Sequence, residues 1–174
     1  MRCLMKKLTG LVACLYTKTN QVGDWVGLLP LRLILAVEFG ASGFEKLHGE
    51  NWFAEIKDSF PFPFSLVPVE ISWGMATWFE ILGAFALVLG LGTRFVSISL
   101  LILTFVAVYA VHLPAEVHSW MDIANGYVIS ANEDGTSGNF KLPLLYAVML
   151  LPFIFNGAGK LSVDYYLKRR FNSR

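Results

Sequence analysis

ISWGMATWFEILGAFALVLGL, residues 71–91, carries a single ionisable side chain, Glu80, near its middle. A helix on a soluble core alternates an apolar stripe with a charged face, and this run has no charged face. About 20 apolar residues are needed to cross roughly 30 Å of hydrocarbon. The stretch is therefore read as a membrane span from Ile71 to Leu91, and the rest of the chain is placed around it.

Three further runs have the same character: Trp25 to Leu47, Phe95 to Leu113, and Leu142 to Phe155. The last contains Pro143 and Pro152, which a membrane helix tolerates where neighbours satisfy the freed carbonyls, and it runs on toward Ala158. The expected fold is an all-α membrane protein, a four-transmembrane-helix bundle. Composition agrees, with 55% hydrophobic and 16% charged residues, where soluble domains have about 45–50% and about 25%. A net charge of +1 with no basic stripe gives nucleic acid nothing to hold. Cys3 and Cys14 form neither a CxxC pair nor a zinc pattern.

Lysine and arginine orient the bundle. One side holds Arg2, Lys6, Lys7, Lys18, Arg94, Lys160, Lys168, Arg169, Arg170 and Arg174. The other holds Lys46, Lys57 and Lys141 among Glu45, Glu50, Glu55, Asp58, Glu70, Glu116, Asp122, Glu133 and Asp134. Both termini are thus expected in the cytoplasm, with the loops His48–Glu70 and Pro114–Phe140 on the far side. This divides the chain into a cytoplasmic amphipathic lead-in (1–24), a membrane domain (25–160) and a basic cytoplasmic tail (161–174). Leu11-Val12-Ala13-Cys14 has the look of a lipoprotein cleavage box, but the apolar run before it is shorter than the about 7–15 residues of a signal peptide. An amphipathic lead-in is the preferred reading.

In the first loop, NWFAEIKDSF places Trp52, Phe53, Ile56 and Phe60 at helical spacing. A short helix lying on the membrane surface is expected, ended by the following PFPF. In the second loop, NEDGTSGN is a polar, turn-forming piece.

Charge at membrane depth costs about 2.5–3.5 kcal/mol at a helix centre, so such residues face partners inside a bundle. Glu38 and Glu80 sit near the middles of their spans, and a shared polar interior is expected. Arg32 lies about 9 Å below Glu38 along the axis and is placed to snorkel or to meet a carboxylate on a neighbouring helix. Glu38, Ser42 and Glu45 follow one helical face toward the outer end, where Gly40 and Gly43 permit close helix approach. Lys46, His48, His112, Glu116 and Lys141 reach the same boundary, along with Trp52 and Trp73, and Tyr109 joins His112 at the outer end of its helix. The candidate pocket is Arg32, Glu38, Glu45, Lys46, Trp73, Glu80, Tyr109, His112 and Lys141. The competing assignments are structural pairing for the glutamates and Arg32, and interfacial anchoring for Lys46, Lys141 and the tryptophans.

YAVHLPAEVHSW, residues 109–120, offers His112, Glu116 and His118 as copper or zinc ligands. Pro114 interrupts the helix between them, and the spacing is no established metal motif. His112 is instead read as a helix end at a pocket mouth, with Glu116 and His118 in the loop beyond.

LRLILAVEFGASGFEKL, FEILGAFALVLGLGTR and FNGAGKLSVDYYL together resemble the DoxX family. The resemblance rests on Arg32, Gly43 and Lys46, on Glu80, Gly83, Gly90 and Arg94, and on Gly157, Gly159, Lys160, Ser162 and Asp164. Within that family, GENWFAEIKDSFPFPFSLVPVEISWGMATWFE, VHLPAEVHSW and GNFKLPLLY look like the HvfX subgroup, associated with maturation of copper-binding, ribosomally made modified peptides. The resemblance implies a multi-pass protein of the bacterial inner membrane that acts beside peptide-maturation proteins, engaging the modified peptide or copper and assisting its handling or export. It also offers an alternative, the membrane subunit of a quinone-linked oxidoreductase, with Glu38 and Glu80 moving protons. The chain has no membrane cysteine pair, haem motif or dinucleotide fingerprint, so no catalytic residue is assigned and any redox role would be shared. An export role for so small a bundle would call for a homo-oligomer.

Overall fold

A computed structural model describes residues 2–113, 119–127 and 139–172, with side chains from residue 10 onward. Among these residues the fold is entirely helical. Helix α1 spans Arg2–Val26, α2 Leu29–His48, α3 Val69–Leu89 and α4 Thr93–Ala107, which continues as a π-helical turn, Val108–His112. Then follow α5 (Trp120–Tyr127), α6 (Lys141–Asn156) and α7 (Val163–Asn172). Among the described residues three segments are long and apolar enough to cross a membrane: Gly10–His48, Val69–Leu89 and Thr93–His112. Helix α6 has 16 residues, about 24 Å of rise, and is shorter.

The first expected span begins later than its hydropathy suggests. Trp25 and Val26 close α1, and the chain turns at Gly27 and Leu28 before α2 begins. Pro30 sits in the first turn of α2, where its missing N–H costs nothing. One helix running through it would set the ring against the carbonyl four residues earlier.

Helices α2, α3, α4 and α6 make the bundle, around a core of Leu35, Phe39, Leu87, Leu100, Leu150 and Phe153. Glycines set the closest approaches. A Cβ on Gly43 would stand 2.7 Å from Ile81 Cγ1 and 3.0 Å from Ile81 N, so α2 packs closely on the α3 backbone, and one on Gly83 would stand 3.2 Å from Leu100 Cδ2, so the Leu100 side chain of α4 seats against that glycine.

The α3–α4 turn follows from its sequence, Gly90-Leu91-Gly92. Gly90 adopts φ +65°, its N–H donates to Leu87 O at 3.2 Å, and Leu91 N–H donates to Ala86 O at 2.9 Å. This paired closure is a Schellman motif. The next helix is capped from a distance: the Asp164 carboxylate accepts from Gly92 N (2.7 Å) and Thr93 N (2.9 Å).

The first loop departs from expectation. It forms three short 3₁₀ turns, Trp52–Ala54, Lys57–Ser59 and Phe64–Leu66, not one surface helix. Asn51 accepts from Phe53 N at 3.1 Å and starts the first turn, and the prolines prevent a longer helical run. Two of its aromatic side chains point into the protein: Phe53 and Phe60 are buried with Ala76 against Trp73, Leu103 and Val106. In the second loop, α5 forms where only a loop was anticipated. Of NEDGTSGN only Asn139 lies within the described residues.

Candidate functional site

The absence of a side chain on Gly43 brings α2 against α3 beside Glu80. Three residues further on, Lys46 tilts back toward the start of its own helix, as helical side chains do. Its ammonium donates to Ser42 Oγ at 2.7 Å and to Glu80 Oε1 and Oε2 at 3.0 and 2.8 Å. Glu80 is 3% exposed. Three acceptors for three ammonium protons meet the condition under which a buried ion pair is tolerated.

The pair forms part of the wall of a cavity of about 710 Å³ between α2, α3, α4 and the first loop. Trp52, Phe53, Phe60, Phe64 and Trp73 supply aromatic walls, and Glu45, Glu50 and His112 supply polar ones. The rings hold one another edge to face: Phe53 meets Trp52 and Trp73 at 5.0 Å, and Phe60 at 5.2 Å. Such pairs contribute about 0.5–1.5 kcal/mol each beyond area burial, enough to hold a loop with little regular structure in place. Met75, Phe79 and Ile102 line the same cavity and are exposed on the outside of the bundle, which gives it a side facing the apolar surroundings.

His112 ends the π turn. Its ring Nδ1 is hydrogen-bonded to Asn139 Oδ1, and Asn139 N donates to His112 O at 3.0 Å. Leu113 is extended, at φ −72° and ψ 149°, as a residue before proline should be. Single π turns are frequent at functional sites. Here the wider turn sets Val111 and His112 on the cavity wall.

The expected pocket residues therefore separate into groups. Glu45, Lys46, Trp73, Glu80 and His112 are brought together, whereas Arg32, Glu38, Tyr109 and Lys141 are not. Glu38 does not share an interior with Glu80; it is exposed on the outside of α2 and accepts a 2.7 Å bond from Tyr146 OH of α6. Tyr109 is half-exposed on the π turn, and Lys141 lies over the Tyr127 ring, 5.6 Å from its centroid. Glu116 and His118 lie outside the described residues, and among the described residues no three His, Cys, Asp or Glu side chains gather to hold a metal.

Arg32 meets carbonyls at the opposite end of the bundle, not a carboxylate. At 2% exposure, it donates from Nη1 to Ala158 O (2.9 Å) and from Nη2 to Leu161 O (2.8 Å) and Val88 O (3.5 Å). Gly90 leaves room for it, since a Cβ there would stand 2.5 Å from Arg32 Nη1. Lys160 completes this end by donating to Asp24 Oδ2 at 2.7 Å, a bond that raises its pKa above the ordinary lysine value. Arg94 donates to Phe155 O at 3.1 Å. Arg32, Arg94, Gly90, Lys160 and Asp164 together form a structural clasp.

Ser42, Glu50, Phe53, Phe60 and Phe64 belong to the cavity although the expected pocket omits them, and Trp52, expected at the same boundary, lines it as well. The signal for the aromatics was their spacing, whose partner was taken to be lipid. Tyr146 and Asn139, the partners of Glu38 and His112, had no sequence signal.

The geometry defines a helical membrane protein with an aromatic, ion-paired cavity near one end. The DoxX family model matches residues 27–113. A protein of Haemophilus influenzae described only as uncharacterized is 43% identical over 157 residues, covering 90% of this chain and 93% of that one. The chain belongs to the DoxX family. No solved structure matches it.

Proposed function

We propose that this DoxX protein is a four-span protein of the bacterial inner membrane whose outward cavity binds a ligand for the maturation, handling or export of a copper-binding modified peptide. The binding part rests on one observation, the Lys46–Glu80 pair in the wall of an aromatic cavity. An apolar pocket with a few convergent polar groups is the usual form of a small-ligand site. The peptide part rests on the HvfX-like stretches of both outer loops.

In this reading α6 is the fourth span, accommodated by local thinning of the bilayer, within a membrane domain at 25–160. Segments 1–24 and 161–174 are cytoplasmic. Supporting that orientation, Arg94, Lys160 and the junction of α1 with α2 meet at one end of the bundle, as the positive-inside rule asks. Deleting the gene while leaving the peptide and its modifying enzymes in place should change peptide maturation, export or copper tolerance. No change in any of the three would refute the role.

A second reading, the membrane subunit of a quinone-linked oxidoreductase, draws on Met75, Phe79 and Ile102, which give the cavity a side toward lipid. It requires the purified protein to bind a quinone analogue, more weakly in Glu80→Gln.

A further inference from the structure

The cavity wall carries charges that do not balance. Among the described residues Lys46 is its one ammonium, and all three of its protons are taken by Ser42 and Glu80. Glu45 and Glu50 line the same cavity, and among the described residues neither has a cationic partner. Segments 114–118 and 128–138 contain no lysine or arginine. Of the other two lysines assigned to that side, Lys141 is over Tyr127, and Lys57 is not on the cavity wall.

Beside these carboxylates stand Trp52, Trp73 and Phe53. Aromatic faces attract cations, by about 0.5–1 kcal/mol at exposed sites and about 2 when desolvated. A ligand that only accepts hydrogen bonds finds no free ammonium, whereas a protonated nitrogen on an apolar body finds carboxylates at the mouth and rings inside.

We propose that the cavity takes the protonated nitrogen of a peptide, a terminal amine or a basic side chain carried next to an apolar residue. This rests on the reading of the cavity as a ligand site and names its ligand chemistry. The occupied Lys46–Glu80 pair fixes the wall, Glu45 and Glu50 supply the attraction, and the tryptophans enclose the apolar neighbour.

The test uses the full chain in detergent micelles, with binding followed by calorimetry. The probes are lysyl-phenylalanine amide, its fully acetylated neutral form, and phenylalanine amide as a free small amine. The cationic dipeptide should bind about tenfold tighter than the acetylated one. Glu45→Gln and Glu50→Gln should each weaken the cationic dipeptide about threefold, as expected for solvent-exposed charge pairs, and leave the acetylated form unchanged. Both carboxylates are exposed, so the variants should keep the parent's thermal unfolding.

Equal or tighter binding of the acetylated dipeptide overturns the cation assignment and leaves the ligand site standing. Unchanged binding in both glutamine variants also overturns the cation assignment. Phenylalanine amide binding as tightly as the dipeptide overturns the peptide source. No binding of any probe overturns both the proposal and the ligand-site reading.

Discussion

Gly43 faces Glu80 across the α2–α3 seam so closely that a Cβ on the glycine would lie 3.0 Å from the glutamate's own Cβ. The seam and the ion pair are consequently one feature. Lys46 reaches the carboxylate because the backbone three residues earlier can approach it.

Gly43→Ala should force the helices apart, because the added methyl meets Ile81 Cγ1 at 2.7 Å and Ile81 N at 3.0 Å. Overpacking of this kind costs about 1–3 kcal/mol. Gly40→Ala places its methyl 3.4 Å from Ala84 Cβ, an ordinary contact, and should be near neutral. Thermal unfolding in detergent compares the two.

Lys46→Met should be more damaging than its exposure suggests. It strands the Glu80 carboxylate at 3% exposure, and removing one partner of a buried pair costs about 3–5 kcal/mol. The double variant Lys46→Met with Glu80→Met should recover much of the loss. A double variant no more stable than Lys46→Met alone would contradict the pairing.

Arg32→Lys should destabilise although it keeps the charge. One ammonium cannot reproduce the planar fork that serves Ala158, Leu161 and Val88, and a hydrogen bond to a charged group contributes about 1.5–3 kcal/mol. Asp164→Ala should lose about 1 kcal/mol, the usual worth of a capping acceptor, because the Gly92 and Thr93 N–H groups lose theirs. Neither change should alter affinity for a cavity ligand, because both residues lie at the other end.

Orientation can be read with a membrane-impermeant thiol reagent. Cys14 is exposed and, with Cys3→Ser, should react in cells only after permeabilisation. Leu66→Cys, at a position 74% exposed in the first loop, should react without it in a background lacking both native cysteines. The reverse pattern would invert the topology.

Three apolar segments long enough to span were legible because hydrocarbon length imposes a run of apolar residues that nothing else in a small protein requires; the fourth expected span is a shorter apolar helix, α6. Glu80 was legible as a charge needing a partner, and Lys46 as a candidate on the same boundary. Glu38 was misplaced because equal depth says nothing about azimuth: the face toward Tyr146 and the face toward Glu80 differ only by rotation about α2. Arg32 was misplaced for a different reason. Its acceptors are backbone carbonyls, which every residue has and no sequence pattern marks, and two of them lie more than a hundred positions away. Trp52, Phe53, Ile56 and Phe60 were legible as one apolar face from their spacing, but whether lipid or protein covers that face depends on chain path.

The carbonyl contacts of Arg32 also impose an order on biosynthesis. The guanidinium enters the chain at position 32, yet the acceptors at 158 and 161 do not exist until 126 and 129 further residues have been translated. Throughout that interval a full positive charge at the foot of the second helix must be kept hydrated, by remaining at the bilayer edge or in the insertion machinery. Closure of the bundle thus waits for residues 158–161 to leave the ribosome, and a chain stopped before them is left with an open, charged seam.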